Sequence, residues 1–214
     1  MMMLRDRPID WSLLAAAARY YTMLDYTQIE VPWIVHASYS DMTSPTGDSG
    51  YAFKLNDAAD LSPSLDWLKT DRRLVCSAEQ GFIQRAFRDN DLTQAKKYFS
   101  ISPCFRDEQE GALKSKTFMK LELSAYFTSL EGDVAEQRAI QQYLEFLEDA
   151  KLFMSSMGAT CNVVETDIGK DIVSLYDIEL GSYGYRKLGN AYFAYGTGLA
   201  LPRFSFMRHD GVVT

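Results

Sequence analysis

The residues best suited to chemistry fall in the stretch Cys104-Phe105-Arg106-Asp107-Glu108 and in the run Phe118-Met119-Lys120-Leu121-Glu122-Leu123-Ser124 that follows it. In the second run Phe118, Lys120, Glu122, Ser124 and Tyr126 alternate with Met119, Leu121, Leu123, Ala125 and Phe127. That period of two is what a strand needs to lay one apolar face on a core. The other face then carries a cation, an anion and a hydroxyl. Charges taken out of water cost several kcal/mol unless paired, so such a face belongs to solvent or to a polar ligand. Arg106, at the end of the preceding strand, favours the ligand, because a guanidinium fork fits phosphate oxygens. For Lys120 and Glu122 a plainer reading also stands: a mutual salt bridge on an exposed strand.

Capping residues and periodicity outline the elements that must hold these groups. Asp10 caps a helix whose apolar positions Leu13, Ala17, Tyr20, Tyr21 and Leu24 follow the helical period. Thr27 to Pro32 reads as a short strand at a sheet edge. Residues 38–72, rich in Ser, Asp, Gly and Pro, read as loops around a short strand at Tyr51–Leu55. Ser77 caps a helix over Ala78–Phe87, which leaves Glu79 and Gln80 open to an ordinary role as first-turn residues. Lys97–Arg106 is the next strand. Asp133–Met157 has a clear helical stripe and Gly158 to end it. Strands are expected at Ala159–Glu165, Val173–Leu180 and Asn190–Tyr195, then a glycine-rich turn, Gly196-Thr197-Gly198, leading to a last helix with Pro202 in its first turn. Runs of strands flanked by helices without strict alternation predict an α+β fold on a mostly antiparallel sheet.

Composition narrows the function classes. The 214 residues have room for one substantial core, so a single domain over 1–214 is expected. No apolar run is long enough to span a membrane and no basic-then-apolar leader opens the chain, which makes the cytoplasm the expected compartment. Three widely spaced cysteines, Cys76, Cys104 and Cys161, suit neither a disulfide framework nor a zinc site, and two histidines exclude a histidine-rich metal centre. With 22 Lys plus Arg against 29 Asp plus Glu, the net charge is −7 and no basic segment stands out. An extensive nucleic-acid interface is therefore disfavoured, while a contact to one nucleic-acid end is compatible with it.

Taken in order, these pieces resemble the catalytic core of the class II aminoacyl-tRNA synthetases over nearly the whole chain. The first helix with Ile29-Glu30-Val31-Pro32 resembles the family's first motif, which lies at a dimer interface. Leu74–Gln80 resembles the segment that contacts the amino acid. Phe99–Glu108, the loop 109–116 and the strand from Thr117 resemble the second motif. Tyr176–Ser182 resembles the strand before the third motif, and Tyr195–Arg203 resembles that motif itself.

The resemblance implies an ATP- and Mg2+-dependent enzyme that activates an amino acid or related carboxylate as its adenylate. Arg106 would contact the α-phosphate, Glu108 would read the adenine amino group, and Phe118 would stack on adenine. Arg203 would cover the other nucleotide face, with Gly198 in the same motif, and Glu179 would help hold magnesium or the substrate amino group. Ala200 stands where the family carries a glycine that nears ATP, and Pro202 where an acidic residue is frequent.

Glu79, Gln80, Lys120, Glu122, Ser124, Ser182 and Arg186 would line the substrate pocket. By the same resemblance Arg186 occupies a position from which aspartate-specific members read a side-chain carboxylate, whereas Glu122 favours a cationic group; the side chain stays open. The expected assembly is a homodimer using the Tyr20, Tyr21 and Leu24 surface. The third-motif helix ends the chain, so no anticodon-binding domain is expected, and the acceptor would be a tRNA end, a carrier protein or a small amine. A non-catalytic paralogue serving as ligand sensor or assembly partner is the alternative.

Overall fold

The structure is a computed structural model that describes residues 8–43, 52–55, 71–111, 114–128, 133–167, 170–176 and 178–210. Tyr51 and Asp177, which belong to two of the expected strands, lie outside the described residues.

Asp10 accepts a hydrogen bond from the Leu13 amide and starts helix α1 (Trp11–Met23). Strand β1 (Thr27–Gln28) is shorter than its sequence suggests and pairs parallel with β5 (Tyr98–Phe105). Strand β2 (Ile34–His36) and helix α2 (Ala37–Asp41) follow, then β3 (Lys54–Leu55) and β4 (Arg72–Leu74). Strands β2, β4 and β3 form a small antiparallel sheet. Helix α3 (Ala78–Gln84) begins at Ser77, whose hydroxyl accepts from the Glu79 amide, and widens into a π-turn over Arg85–Asp89. Gly81 is required there: a Cβ would sit 2.8 Å from the Pro32 carbonyl oxygen, so only glycine lets the 31–32 segment cross α3.

The main sheet is completed by β6 (Thr117–Thr128), β7 (Asn162–Asp167), β8 (Lys170–Leu175), β9 (Ile178–Leu188) and β10 (Ala191–Leu201). Its order is β1-β5-β6-β10-β9-β8-β7, antiparallel except at β1. Helix α4 (Asp133–Ser156) and helix α5 (Arg203–Asp210) finish the element list, and Gly158, at φ 88°, follows α4 in the left-handed conformation a helix stop favours.

Both sheet faces are used, and differently. Leu121, Leu123, Ala125 and Phe127 of β6 join Leu13, Ala17 and Tyr21 of α1 and Phe146, Ala150 and Phe153 of α4 in the larger core. On the opposite face Tyr126, Phe193 and Tyr98 pack against Ala78, Phe82, Ile83 and Ala86 of the α3 region. Helix α3 covers only one end of that face. The remainder, where β6 carries Lys120 and Glu122, forms the floor of a cleft.

Three expectations need correction. The segment Val173–Leu180 is two strands, β8 and β9, reversing at Tyr176 with φ 51° and no glycine or proline to mark the turn. Gly196-Thr197-Gly198 is not a turn but part of β10, with a bulge between Thr197 and Leu199. The glycines there answer close packing: a Cβ on Gly198 would meet Leu121 Cδ2 at 2.5 Å and the Tyr21 ring at 2.9 Å. Tyr21 is fully buried in its own core and Tyr20 and Leu24 pack on the same cluster, so the large exposed apolar residues on α1 are instead Trp11 and Met23. Among the described residues no helix is long and apolar enough to cross a membrane.

Candidate active site

The cleft has two adjoining chambers that share Arg106, Glu108, Lys120 and Ser182. Alternation along three neighbouring strands builds it. From β6 come Phe118, Lys120 and Glu122, from β10 Tyr195, Thr197 and Ala200, and from β9 Ser182 and Arg186. The β10 bulge matters here, since Gly198 and Leu199 both turn to the core and Thr197 and Ala200 both face the cleft.

In the first chamber Arg106, at the exit of β5, donates from Nε to the Cys76 carbonyl at 3.3 Å, and its guanidinium lies 5.0 Å above the Phe118 ring. These two contacts fix a planar cation whose remaining donors are available to an anion. Arg203, at the start of α5, donates from Nη1 to the Glu179 backbone carbonyl at 3.0 Å and lines the same chamber. Burial holds the Arg203 guanidinium below its ordinary value, opposed by Glu179 and assisted by Arg106. Glu108 meets Lys114 at 3.3 Å, and Glu179 is exposed at the chamber edge.

Among the described residues no three His, Cys, Asp or Glu side chains gather as a metal-binding group. Magnesium held by one or two carboxylates together with phosphate oxygens needs no such cluster, and Glu179 supplies that donor type.

The second chamber is closed by ion pairs. Lys120 Nζ lies 2.7 Å from Glu122 Oε2 and 3.0 Å from Oε1, and the Ser77 hydroxyl donates to Glu122 Oε2 at 2.6 Å. Both residues are buried, Glu122 with 1% of its surface exposed and Lys120 with 7%, so the salt bridge read from the sequence exists but sits beneath the ligand space rather than on an exposed strand. Burial raises the Glu122 carboxyl above its ordinary value despite Lys120 and Ser77. Opposite, Arg186 Nε donates to Glu79 Oε1 at 2.8 Å while its guanidinium stacks 5.0 Å over the Tyr195 ring. The Glu79 carboxylate raises Arg186 further, burial opposing.

Arg106, Glu108, Phe118, Lys120, Glu179, Ser182 and Arg203 therefore gather around the first chamber, and Glu79, Gln80, Glu122 and Arg186 join the shared residues around the second. Gln80 lines the wall, yet its amide is committed: Oε1 accepts from the Cys76 amide at 2.7 Å and Nε2 donates to Thr43 at 3.0 Å. Ser124 and Gly198 line neither chamber. Ser124 is buried in register between Tyr98 and Tyr195, and Gly198 faces Leu121 and Tyr21.

Sequence reasoning missed Tyr195, Thr197, Cys76, Ser77 and Lys170. Alternation outward from Ala200 would have found the first two had the β10 bulge been anticipated; Lys170 carried no local signal.

The sequence matches no protein-family model and no curated protein. The fold does match solved structures. Pyrrolysyl-tRNA synthetase from Desulfitobacterium hafniense superposes with a TM-score of 0.65 at 18% identity, over 97% of this chain and 72% of that one. Seryl-tRNA synthetase from Pyrococcus horikoshii, complexed with ATP, gives a TM-score of 0.70 at 14% identity, over 92% of this chain and 49% of that one. The cytoplasmic serine-tRNA ligase from Naegleria fowleri, in complex with AMP, gives 0.66 at 14%, over 90% of this chain and 46% of that one. At these identities the likeness is one of fold: the chain has the α+β architecture of class II aminoacyl-tRNA synthetase catalytic domains.

Proposed function

We propose that a chain with this fold activates an amino acid, or a related carboxylate, at the expense of ATP. The observation that carries the reading is the pairing of the two chambers through Arg106. This cation is shared by a space lined by Phe118 and Arg203 and by a space lined by the Glu79–Arg186 and Lys120–Glu122 pairs. In the reaction a carboxylate oxygen attacks the α-phosphorus, the bond from that phosphorus to the bridging oxygen breaks, and pyrophosphate leaves. The bonds change on the substrates, so the protein contributes positioning and fixed positive charge where charge builds on the phosphoryl oxygens.

Arg106 is aimed at the junction by Cys76 and Phe118, which keeps its reorganisation small. Phe118 offers a purine a stacking surface, Glu108 a hydrogen-bond acceptor, and Arg203 charge for the distal phosphates. Magnesium, when bound with the triphosphate, would supply further charge neutralisation through Glu179. The adenylate would then pass its acyl group to a tRNA end, a carrier protein or a small amine; the net charge of −7 disfavours broad tRNA contact. A homodimer is proposed through the first-motif region, where Trp33 and Ile34 are exposed.

Isotopic pyrophosphate exchange into ATP, screened over amino acids and metabolic carboxylates, tests this reading. Exchange dependent on one acid is expected, and its absence with every acid defeats the catalytic reading. The alternative, a non-catalytic paralogue, draws on Ala200, whose methyl lines the first chamber. Millimolar ATP with magnesium separates the two by raising the melting temperature of a nucleotide-binding enzyme and leaving that of a paralogue without a nucleotide site unchanged.

A further inference from the structure

The direction in which Arg106 points depends on one backbone carbonyl. Arg106 leaves β5 with its amide donating to the Lys116 carbonyl at 2.8 Å, and its Nε then donates to the Cys76 carbonyl at 3.3 Å. The guanidinium is planar and rigid, so the place of that acceptor, with the Phe118 ring beneath, decides where its two terminal nitrogens lie. Cys76 belongs to the connection between β4 and α3, and connections are the parts of a fold that move most.

This connection is pinned on both sides of the carbonyl that matters. The Val75 carbonyl accepts from the Phe105 amide at 2.8 Å, which lays the segment along the end of β5. The next anchor is Gln80, whose Oε1 accepts from the Cys76 amide at 2.7 Å. Gln80 is itself locked: it is 1% exposed, and its Nε2 donates to Thr43 Oγ1 at 3.0 Å and to Ser40 Oγ at 3.3 Å. The last anchor is Ser77, whose hydroxyl donates to Glu122 Oε2 at 2.6 Å, with Lys120 holding the same oxygen at 2.7 Å. Capping α3 uses the Ser77 oxygen only as an acceptor, from the Glu79 amide at 3.5 Å, so the bond to Glu122 is one that the helix start does not require. The peptide unit that carries the Cys76 carbonyl lies between the Gln80 and Ser77 anchors.

We propose that Ser77 and Gln80 are positioning residues for adenylate formation. Together they fix the Cys76 carbonyl, which aims Arg106 at the junction of the chambers, and the buried Lys120–Glu122 pair is the fixed point to which Ser77 is tied. The proposal rests on the activation reading for its effect on rate, but not for its effect on Arg106 itself. A cation already aimed where charge builds in the transition state need not be reoriented as the reaction proceeds, and that is what the two anchors contribute. Ser77 also lines the second chamber, so direct contact with the substrate is the competing role.

Ser77→Ala, Ser77→Thr and Gln80→Leu test this in the full chain by two independent measurements. In pyrophosphate exchange with the acid found by the screen, Ser77→Ala and Gln80→Leu should each lower kcat by about 10- to 10²-fold, the range a misplacement of about 1 Å can bring. The KM for the acid should stay unchanged, and Ser77→Thr, which restores the hydroxyl, should recover most of the rate. Asp10→Ala removes the cap of α1 away from the cleft and should leave kcat unchanged, which separates aiming from general loss of stability. The second measurement needs no substrate. The Arg106 Nε–H signal in heteronuclear NMR, assigned by its loss in Arg106→Lys, should exchange with solvent about 10-fold faster in Ser77→Ala and Gln80→Leu, because a charged donor loses a fixed acceptor. If Gln80→Leu does not fold, Ser77→Ala, which keeps the buried pair, still decides. A raised KM for the acid at unchanged kcat would make Ser77 a substrate contact and overturn the assignment. So would an Arg106 Nε–H exchange rate unaltered in Ser77→Ala, or a Ser77→Thr variant as slow as Ser77→Ala. Exchange with no acid in the wild type, beside a faster Nε–H exchange in Ser77→Ala, would defeat the activation reading and leave the aiming of Arg106 standing.

Discussion

Two parts of the cleft handle charge in opposite ways. At its floor Glu122 and Lys120 are almost out of solvent and neutralise each other, and Glu79 is tied to Arg186. At the junction of the chambers Arg106 is only partly buried and is held by a carbonyl and an aromatic ring, with no carboxylate partner among the described residues. The physical reason is the cost of desolvation: a nearly buried ion needs its counter-ion inside the protein, whereas a half-solvated one can wait for a ligand to bring it. Removing a charge from the buried Lys120–Glu122 pair should therefore damage the fold, and removing Arg106 should damage chemistry.

The largest expected effect is at the buried pair. Lys120→Met leaves the Glu122 carboxylate buried without its cation and should cost about 3–5 kcal/mol of stability, read from urea unfolding. Adding Glu122→Leu to that variant should recover most of the loss, because replacing both members of a buried pair is far less harmful than breaking it. If Lys120→Met were no less stable than the wild type, the contrast between buried pair and half-solvated cation would collapse.

Arg106→Ala is the mirror experiment. It should lower the pyrophosphate-exchange rate by about 10²–10³ while stability falls by no more than about 1–2 kcal/mol, the loss of a cation–π contact and one hydrogen bond. Unaltered exchange in this variant would remove Arg106 from the α-phosphate.

Gly198→Ala sharpens the boundary between site and core within a single strand. Its methyl would press on Leu121 and Tyr21 on the core side, for an expected loss of about 1–3 kcal/mol. The KM for ATP should not change, whereas a selective rise in that KM would move Gly198 back to the nucleotide.

The smallest effect is in the pH dependence. Burial raises the folded-state pKa of Glu122 above its ordinary value of 4.5. The native state then holds this proton more tightly than the unfolded one, so ionisation of Glu122 lowers stability as pH climbs from 4.5 through the raised value. Glu122→Gln should flatten the stability curve over that window, measured as unfolding midpoints against pH.

Much of the frame was legible because it rests on local rules. The Asp10 and Ser77 caps, the strand alternation from Phe118 to Phe127 and the helix ending before Gly158 depend on residues a few positions apart. The misreadings also have local explanations. Tyr176 turns the chain between two apolar runs without a glycine or proline, so β8 and β9 read as one strand. Gly196 and Gly198 mimic a turn, but they are small because Tyr183, Phe146, Tyr21 and Leu121 crowd them from other elements.

What the sequence determined by itself is which side chains share a face: the period of two puts Phe118, Lys120 and Glu122 together whatever surrounds them. Which of these meet solvent, a partner or a ligand was decided by tertiary structure. Helix α3 brings Ser77 onto Glu122, Glu79 reaches Arg186 across 107 positions of chain, and the register of β8 sets Lys170 opposite Gly184. Electrostatic energy depends on distance through space and on how much water remains between the charges. Neither quantity is written in the order of the residues, so whether a charge is spent on the fold or kept for a ligand emerges only when the strands and helices have packed.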